Sequence, residues 1–248
     1  MKHTHVLVSG ASRGIGAAIA LELARGGVTV GCLSRSGSLP ETGDLDASAK
    51  ERLLAIVTNV ADADSFKAAI NEFTERTGHQ ATGLINNAGI HTACPSHRLS
   101  AEDFRDVMDS NALSVLFGCQ AIYPSLVNAG GGLIVNIGSF YDRLGIKQNV
   151  AYCASKAAVG AITRCLAVEW AKHGIRVLNV APGYIKTDIN RDAMDNGPLG
   201  EFLAKRIPRA KPGEPAEVAK LVAGLFAMDS GFLTGETIYI DGGQSITD

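Results

Sequence analysis

The run Gly10-Ala11-Ser12-Arg13-Gly14-Ile15-Gly16 constrains this chain more than any other stretch, because it stands between an apolar β-type run at 5–9 and a helical pattern at 14–25. Glycines at such a junction let the backbone turn from strand to helix within a few residues. The helix then points its free N–H groups, and the positive end of its dipole, at the turn, where a pyrophosphate can approach. A phosphate loop of the Gly-Lys-Ser/Thr type is excluded, since that ending is missing and Ile15 stands where a second glycine would be. The common Gly-x-Gly-x-x-Gly spacing is absent too, and the spacing found here also fits a plain glycine-rich turn.

Beyond that junction, short β-rich apolar runs alternate with helical patterns along the 248 residues, an order that argues for a parallel sheet covered on both faces by helices. The expected strands are 5–9, 28–33, 53–58, 83–86, 132–138, 175–180 and 236–240, and the expected helices 14–25, 62–77, 100–128, 152–173 and 215–228. Ser100 with Asp103 makes a start signal of capping-box type, and Pro215 suits a first helical turn. The fold class expected is α/β, a Rossmann-type, doubly wound parallel sheet of about seven strands. No repeat or linker divides the chain, so residues 1–248 read as a single domain. Two segments are irregular: 36–46, rich in Ser, Gly, Pro and acid, reads as a surface loop with a short helix at most, and 183–215 carries Pro198, Pro208, Pro212 and Pro215. The second is long enough to cover a substrate as a lid, although a plain surface excursion fits the same residues.

Hydrophobic residues at 46% and charged residues at 19% suffice for a packed core, which removes the disordered class. A net charge of −2, with both signs scattered, offers neither nucleic acid nor membrane a basic surface. Cys32, Cys94, Cys119, Cys153 and Cys165 are odd in number and form no CxxC pair, which suits reduced thiols rather than disulfides or a zinc site, and no metal is expected. The start MKHTHVLVSG lacks the charged, apolar and cleavage regions of a secretory signal, so a cytoplasmic protein is expected. No apolar stretch reaches the roughly 18 residues of a membrane span.

Dinucleotide folds commonly place an acidic residue about 20 positions after the glycine loop, where it takes the ribose hydroxyls of NAD. Here that place reads Cys32-Leu33-Ser34-Arg35. A hydroxyl beside an arginine, with no carboxylate, suits the additional phosphate of NADP. Arg13 adds a second cation if it turns towards the adenosine end, while either arginine taken alone also fits a solvated surface charge. NADP(H) is the expected cofactor, with NAD(H) still admissible. Farther on, Tyr152 and Lys156 lie four apart in a strong helical pattern and share a face, and Ser139 follows the run at 132–138, where a parallel sheet presents residues to a ligand crevice. A phenol of ordinary pKa about 10 is a poor proton carrier at neutral pH, and a nearby ammonium favours its phenolate. Lys156 is placed to supply that charge.

Together these residues resemble the short-chain dehydrogenase/reductase family over essentially the whole chain. The matches stand in the family's order: Gly10, Gly14 and Gly16; Asn86-Asn87-Ala88-Gly89; Asn111; Ser139; Tyr152 with Lys156; and Pro182-Gly183. The resemblance implies that Tyr152 is the general acid in carbonyl reduction and the base in alcohol oxidation, and that Ser139 holds the substrate oxygen. Lys156 would lower the tyrosine pKa and bind the nicotinamide ribose, and Asn111 would anchor a water leading protons from Lys156 to solvent. Asn87, Ala88 and Gly89 would pack along the cofactor, Ile185 would offer its N–H to the carboxamide, and Thr187 would bind carboxamide or pyrophosphate. A capped core amide and a loop hydroxyl are the plain alternatives for Asn111 and Thr187.

The chain also departs from the family's pattern. Asn59-Val60 stands where Asp-Val is usual, and its amide can accept from the adenine amino group only without charge assistance. Phe140 and Tyr141 follow Ser139 where small residues are frequent; with His91 and Tyr184 they form the expected substrate pocket, unless they only pack. Tyr141 rivals Tyr152 as the acid but has no lysine four residues on. Within the family, SGASRGIG, NNAGI, LAVEWAKHGIRVLNVAPGYIKTD and TGETIYIDGG resemble bacterial 3-oxoacyl-acyl-carrier-protein reductases and related ketone or sugar alcohol dehydrogenases. The implied reaction is hydride transfer between NADP(H) and a 3-oxoacyl thioester or ketone; oxidation of sugar or cyclic secondary alcohols is the alternative, and a non-catalytic nucleotide sensor the alternative of another class. The implied partners are a small carbonyl or alcohol and further copies of the chain, in a homotetramer or dimer built on the helices at 100–128 and 152–173. Acyl carrier protein is a candidate through Arg191, Lys205, Arg206 and Arg209, which equally fit solvated charges.

Overall fold

The computed structural model describes residues 4–43, 45–187, 190–195 and 198–247. Its strands and helices are, in chain order, β1 (His5–Ser9), α1 (Gly14–Arg25), β2 (Thr29–Ser34), α2 (Ala47–Glu51), β3 (Leu53–Val57), α3 (Ala63–Thr77), β4 (Gly83–Asn86), α4 (Ala101–Met108), α5 (Ser114–Asn128), β5 (Gly132–Ile137), α6 (Val150–Trp170), β6 (Ile175–Pro182), α7 (Arg191–Asp195), α8 (Pro198–Arg206), α9 (Pro215–Ala227) and β7 (Thr237–Ile240). The seven strands pair in parallel in the order β3-β2-β1-β4-β5-β6-β7. The expected doubly wound sheet is therefore the one found. Strand order reverses between β1 and β4, and at such a switch point the carboxyl ends of the strands open onto a crevice.

Both faces of the sheet are buried, which is why its strands read as continuous apolar runs. In β1, Val6 and Val8 pack on one face with Ile19 and Leu23 of α1 and Val222 of α9. Leu7, between them, packs on the other face with Phe66 and Phe73 of α3 and Ile122 of α5. Each such fully buried side chain stabilises the fold by about 2–3 kcal/mol. Helix starts follow their capping signals. Asp62 accepts from the N–H groups of Asp64 and Ser65, and Ser100 accepts from Asp103 N at 2.9 Å. Pro215 opens α9, where Glu217 accepts from Glu214 N at 2.9 Å.

Three expectations need correction. The helix at 100–128 is interrupted by a single wide turn of π type at Asp109–Leu113, held by tertiary bonds described below. The helix expected at 152–173 begins at Val150, so Tyr152 sits in its first turn, and it gives way after Trp170 to a tight turn ending at Gly174, φ 69°. The segment 183–215, read as irregular, carries α7 and α8, because Met194, Leu203 and Ile207 bury one another beneath Tyr184 and Leu199. Residues 188–189 and 196–197 of that segment lie outside the described residues. Among the described residues, no helix is long and apolar enough to cross a membrane.

Candidate active site

At the carboxyl ends of β1 and β4 lies a cleft of about 320 Å³. Its floor is the glycine loop, with Gly10, Ser12, Arg13 and Gly14 lining it. Two glycines there are steric necessities. A Cβ on Gly16 would stand 2.3 Å from the Gly10 carbonyl and 2.4 Å from Asn87 Nδ2, and Gly10 itself sits at φ 65°. Ile15 and Gly16 thus shape the turn from behind, outside the lining. The loop is stapled to the segment after β4: Ser9 Oγ accepts from the N–H groups of Asn87 at 2.9 Å and Ala88 at 3.1 Å. In return Asn87 Nδ2 donates to the carbonyls of Ser9 and Gly10. The Asn87 amide is committed to this staple, so the cleft receives the flat backbone of Asn87, Ala88 and Gly89. Ser9 was not singled out from sequence, because a serine ending a strand carries no signal of its partner.

Several donors around this cleft lack protein acceptors. Arg13 occupies the N-cap of α1 without a side-chain cap bond and no acid stands in the first turn, so the helix's opening N–H groups and positive dipole end are unmatched. Thr58 lines the cleft with its Oγ1 buried and partnerless. Ser34 and Arg35 line the far wall beside Asn59 and Val60, and no carboxylate is among the lining side chains. Arg13 and Arg35 are exposed and unpaired among the described residues. One lone pair of Asn59 Oδ1 is taken by Ala61 N, at 3.3 Å, which leaves one for a ligand. Such a donor set, with one orphaned buried hydroxyl, fits a nucleotide bearing several phosphates.

The cleft runs on to Lys156: a Cβ on Gly89 would lie 2.9 Å from Asn111 Oδ1 and 3.9 Å from Lys156 Nζ. Tyr152 and Lys156 occupy the first two turns of α6, and Ser139 directly follows the turn out of β5. Lys156 is buried, donates from Nζ to the Ile137 carbonyl at 2.8 Å, and has its ammonium pushed down to about 8 by burial. Its Nζ lies 5.6 Å from the centre of the Tyr152 ring. Burial pushes the Tyr152 phenol up, and a hydrogen bond from Ser139 pulls it part of the way back. Desolvation of the phenolate dominates in this state, in which the ammonium is held on the Ile137 carbonyl. Asn111, inside the wide turn, accepts from Ile90 N at 2.7 Å and donates to Ile90 O at 2.9 Å and Ser155 Oγ at 3.1 Å. Both amide hydrogens are used, so the side chain clamps the segment after β4 against α6. Ser155 in turn donates to the Tyr152 carbonyl at 2.8 Å.

Aromatic rings surround Tyr152. His91 meets it edge-on at 4.9 Å and Tyr141 at 5.8 Å, and Tyr141 shares a 2.9 Å hydrogen bond with Tyr184. Phe140 is buried behind, against Tyr141 at 4.8 Å and Tyr184 at 5.4 Å, so it backs the pocket rather than lining it. Desolvation and the Tyr184 bond push the Tyr141 phenol far above its usual range. Pro182 ends β6, and Gly183 is spent on packing: its N–H donates to Ile240 at 3.0 Å and a Cβ would meet Asp241 at 2.7 Å. Ile185 forms a parallel bridge with Gly213 that uses the Tyr184 carbonyl and the Lys186 N–H, leaving the Ile185 N–H directed away from Gly213. Thr187 lines the cleft, with its methyl 3.6 Å from the place of a Cβ on Gly14. Arg191, Lys205 and Arg206 are exposed, whereas Arg209 is paired with Glu217. Among the described residues, no group of His, Cys, Asp or Glu could hold a metal ion.

Comparison with known proteins bears on this arrangement. A family model described as Enoyl-(Acyl carrier protein) reductase matches residues 10–245. D-threitol dehydrogenase of Mycolicibacterium smegmatis is 34% identical over 251 residues, covering 97% of this chain and 92% of the relative. The 3-oxoacyl-(acyl-carrier-protein) reductase FabG of Staphylococcus aureus is 36% identical over 241 residues, covering 96% of each. Among solved structures, ElxO with NADP bound superposes with a TM-score of 0.89 at 29% identity, covering 99% of this chain and 100% of that one.

Proposed function

Because this chain belongs to the short-chain dehydrogenase/reductase family, whose members bind a nicotinamide cofactor and act on alcohol or ketone groups, we propose that it moves a hydride between NADP(H) and a ketone or secondary alcohol. One juxtaposition carries the reading: Ser139, Tyr152 and Lys156 gather where a cleft floored by the glycine loop ends, with Gly89 joining the two. Bound in that cleft, the nicotinamide supplies or takes up the hydride. Tyr152 gives its proton to the substrate oxygen in reduction and removes it in oxidation, while the Ser139 hydroxyl holds that oxygen in place. With a pKa of about 8, Lys156 is charged at neutral pH, and a charge in so dry a place stabilises the phenolate as it forms. Two of its three N–H groups remain for the ribose, since one is on Ile137. Asn111 holds the wall on which this geometry rests, and a water beside it would return the proton to solvent.

The preference for NADP(H) is supported by Arg13, Arg35 and the absence of a lining carboxylate, and by a relative of similar fold that carries NADP. Ile185 N–H and Thr187 would take the carboxamide end, Asn59 the adenine, and residues 183–215 would close over a substrate as a lid on a single domain. A homotetramer on α5 and α6 is supported by the exposure of Val127 and Val168 on those helices. The names of the relatives point to two substrate classes, a 3-oxoacyl thioester and a polyol. The test is steady-state turnover of ketones and 3-oxoacyl thioesters with NADPH and with NADH, and of secondary alcohols with NADP+. An advantage for NADPH in kcat/KM of about tenfold or more is expected. Equal or better turnover with NADH would remove the arginine assignment. No turnover with any pair would contradict the oxidoreductase reading.

A further inference from the structure

Two hydrogen-bonding groups beside Tyr152 take no part in the chemistry above. The first is His91, whose Nε2 meets Oδ1 of Asn149. Asn149 Nδ2 donates to the Lys147 carbonyl at 2.8 Å, so the amide cannot turn its donor end towards the ring. The imidazole must therefore donate from Nε2, and in its neutral form Nδ1 keeps a lone pair with no protein donor against it. Gln148, at φ 65°, makes the bend that delivers Asn149 to this position. The second group is the Tyr141–Tyr184 pair at 2.9 Å. In such a pair one phenol donates and the other accepts, so one O–H is left without a protein acceptor. The rings of His91 and Tyr141 are both edge-on neighbours of Tyr152, at 81° and 88°, and Phe140 behind Tyr141 and Tyr184 fixes the pair. Tyr152 thus has beside it one acceptor, His91 Nδ1, and one phenol O–H without a protein acceptor.

An acyl chain would cover these groups without replacing the hydrogen bonds they make to water. A substrate with hydroxyls flanking its reacting carbon would donate to His91 Nδ1 and accept from the tyrosine pair. We propose that this pocket selects a polyhydroxylated substrate, a sugar alcohol or the corresponding hydroxyketone, with His91 and the Tyr141–Tyr184 pair reading the hydroxyls next to the reacting carbon and Asn149 acting as the positioning residue that sets the His91 tautomer. The proposal rests on the oxidoreductase reading above and names its substrate class.

The experiment measures kcat/KM with NADP+ for both tetritol diastereomers and for butan-2-ol, which lacks their three further hydroxyls, two of them on the carbons flanking the reacting one. The preferred tetritol is expected to exceed butan-2-ol by about 100-fold or more. His91→Phe keeps an edge-on ring without a lone pair, and it and Tyr141→Phe are each expected to lower the tetritol-to-butanol ratio by about tenfold. Asn149→Leu, which takes away the acceptor that sets the tautomer, lowers the ratio as well. A wild-type ratio near one, or an unchanged ratio in folded His91→Phe and Tyr141→Phe proteins, overturns the proposal and leaves the oxidoreductase reading standing. If a variant fails to fold by circular dichroism, the wild-type ratio decides. A wild-type protein that turns over neither alcohol nor any ketone overturns both readings together.

Discussion

Replacing Lys156 by Met removes a buried ammonium and, with it, a stability cost whose size and pH window follow from the structure. Burial holds this group at about 8 against an ordinary 10.5. At about 1.4 kcal/mol per pH unit, the fold disfavours the charged form by about 3 kcal/mol. The sign follows from proton counts. The folded protein releases its proton first as pH rises, so between pH 8 and 10.5 the unfolded chain binds more protons and wild-type stability climbs. Below that window both states are charged and the whole cost is present. Methionine fills a similar volume without charge, but it leaves the Ile137 carbonyl without its 2.8 Å donor, which takes back about 1 kcal/mol. Lys156→Met should therefore be more stable than wild type by about 2 kcal/mol at neutral pH, with the gap closing and then reversing slightly as pH approaches 10.5. Urea unfolding followed by the fluorescence of Trp170, the chain's single tryptophan, measures this at fixed protomer concentration. A gap that stays constant across the window, or a wild type that is the more stable at neutral pH, would refute the reasoning.

Other perturbations read other parts of the account. Replacing both Arg13 and Arg35 by Ala should weaken NADPH binding about 10- to 100-fold and NADH binding far less, by titration of nicotinamide fluorescence; equal losses would mean the arginines do not meet a phosphate. Asn136 accepts from Asn86 Nδ2 at 2.9 Å and donates to Thr163 at 2.9 Å inside the core. Asn136→Leu leaves Asn86 Nδ2 with only the Cys119 sulfur and Thr163 with only its bond to the Val159 carbonyl, and should cost about 2–4 kcal/mol in urea unfolding; a loss under 1 kcal/mol would show that the core relaxes around it. Cys32 and Cys119 are pushed up to about 12 by burial while Cys165 is exposed. Iodoacetamide should thus label Cys165 in the native protein and the other two only after unfolding, as read by mass spectrometry, and early labelling of Cys119 would contradict its burial.

The sheet was legible because each strand is a short apolar run closed by turn residues, a pattern that survives without knowledge of its neighbours. The glycine loop, Ser139 and the Tyr152/Lys156 pair were legible for a related reason: local spacing places them at strand ends or on one helix face. What escaped depends on partners distant in sequence. The wide turn at Asp109–Leu113 follows from Asn111 reaching Ile90 and Ser155, up to 44 residues away. Helices α7 and α8 were hidden by prolines and charges, and only the mutual burial of Met194, Leu203 and Ile207 accounts for them. The Tyr141–Tyr184 bond spans 43 positions, and nothing local ties Asn149 to His91, 58 positions apart. Charge effects were the hardest to foresee: the Tyr152/Lys156 spacing suggested a lowered phenol, whereas the burial that brings the two together acts against it.

The most direct test of the central claim is Tyr152→Phe, which removes one hydroxyl and keeps the ring that packs against His91 and Tyr141. Turnover with the best NADP(H)/substrate pair and the dissociation constant of NADPH are measured on the same preparation. kcat is expected to fall by about a thousandfold or more while NADPH binding changes by less than about threefold, because the proton donor is gone and the cofactor cleft is intact. Turnover close to wild type with unchanged binding would contradict the claim, since the proton would then come from some other group.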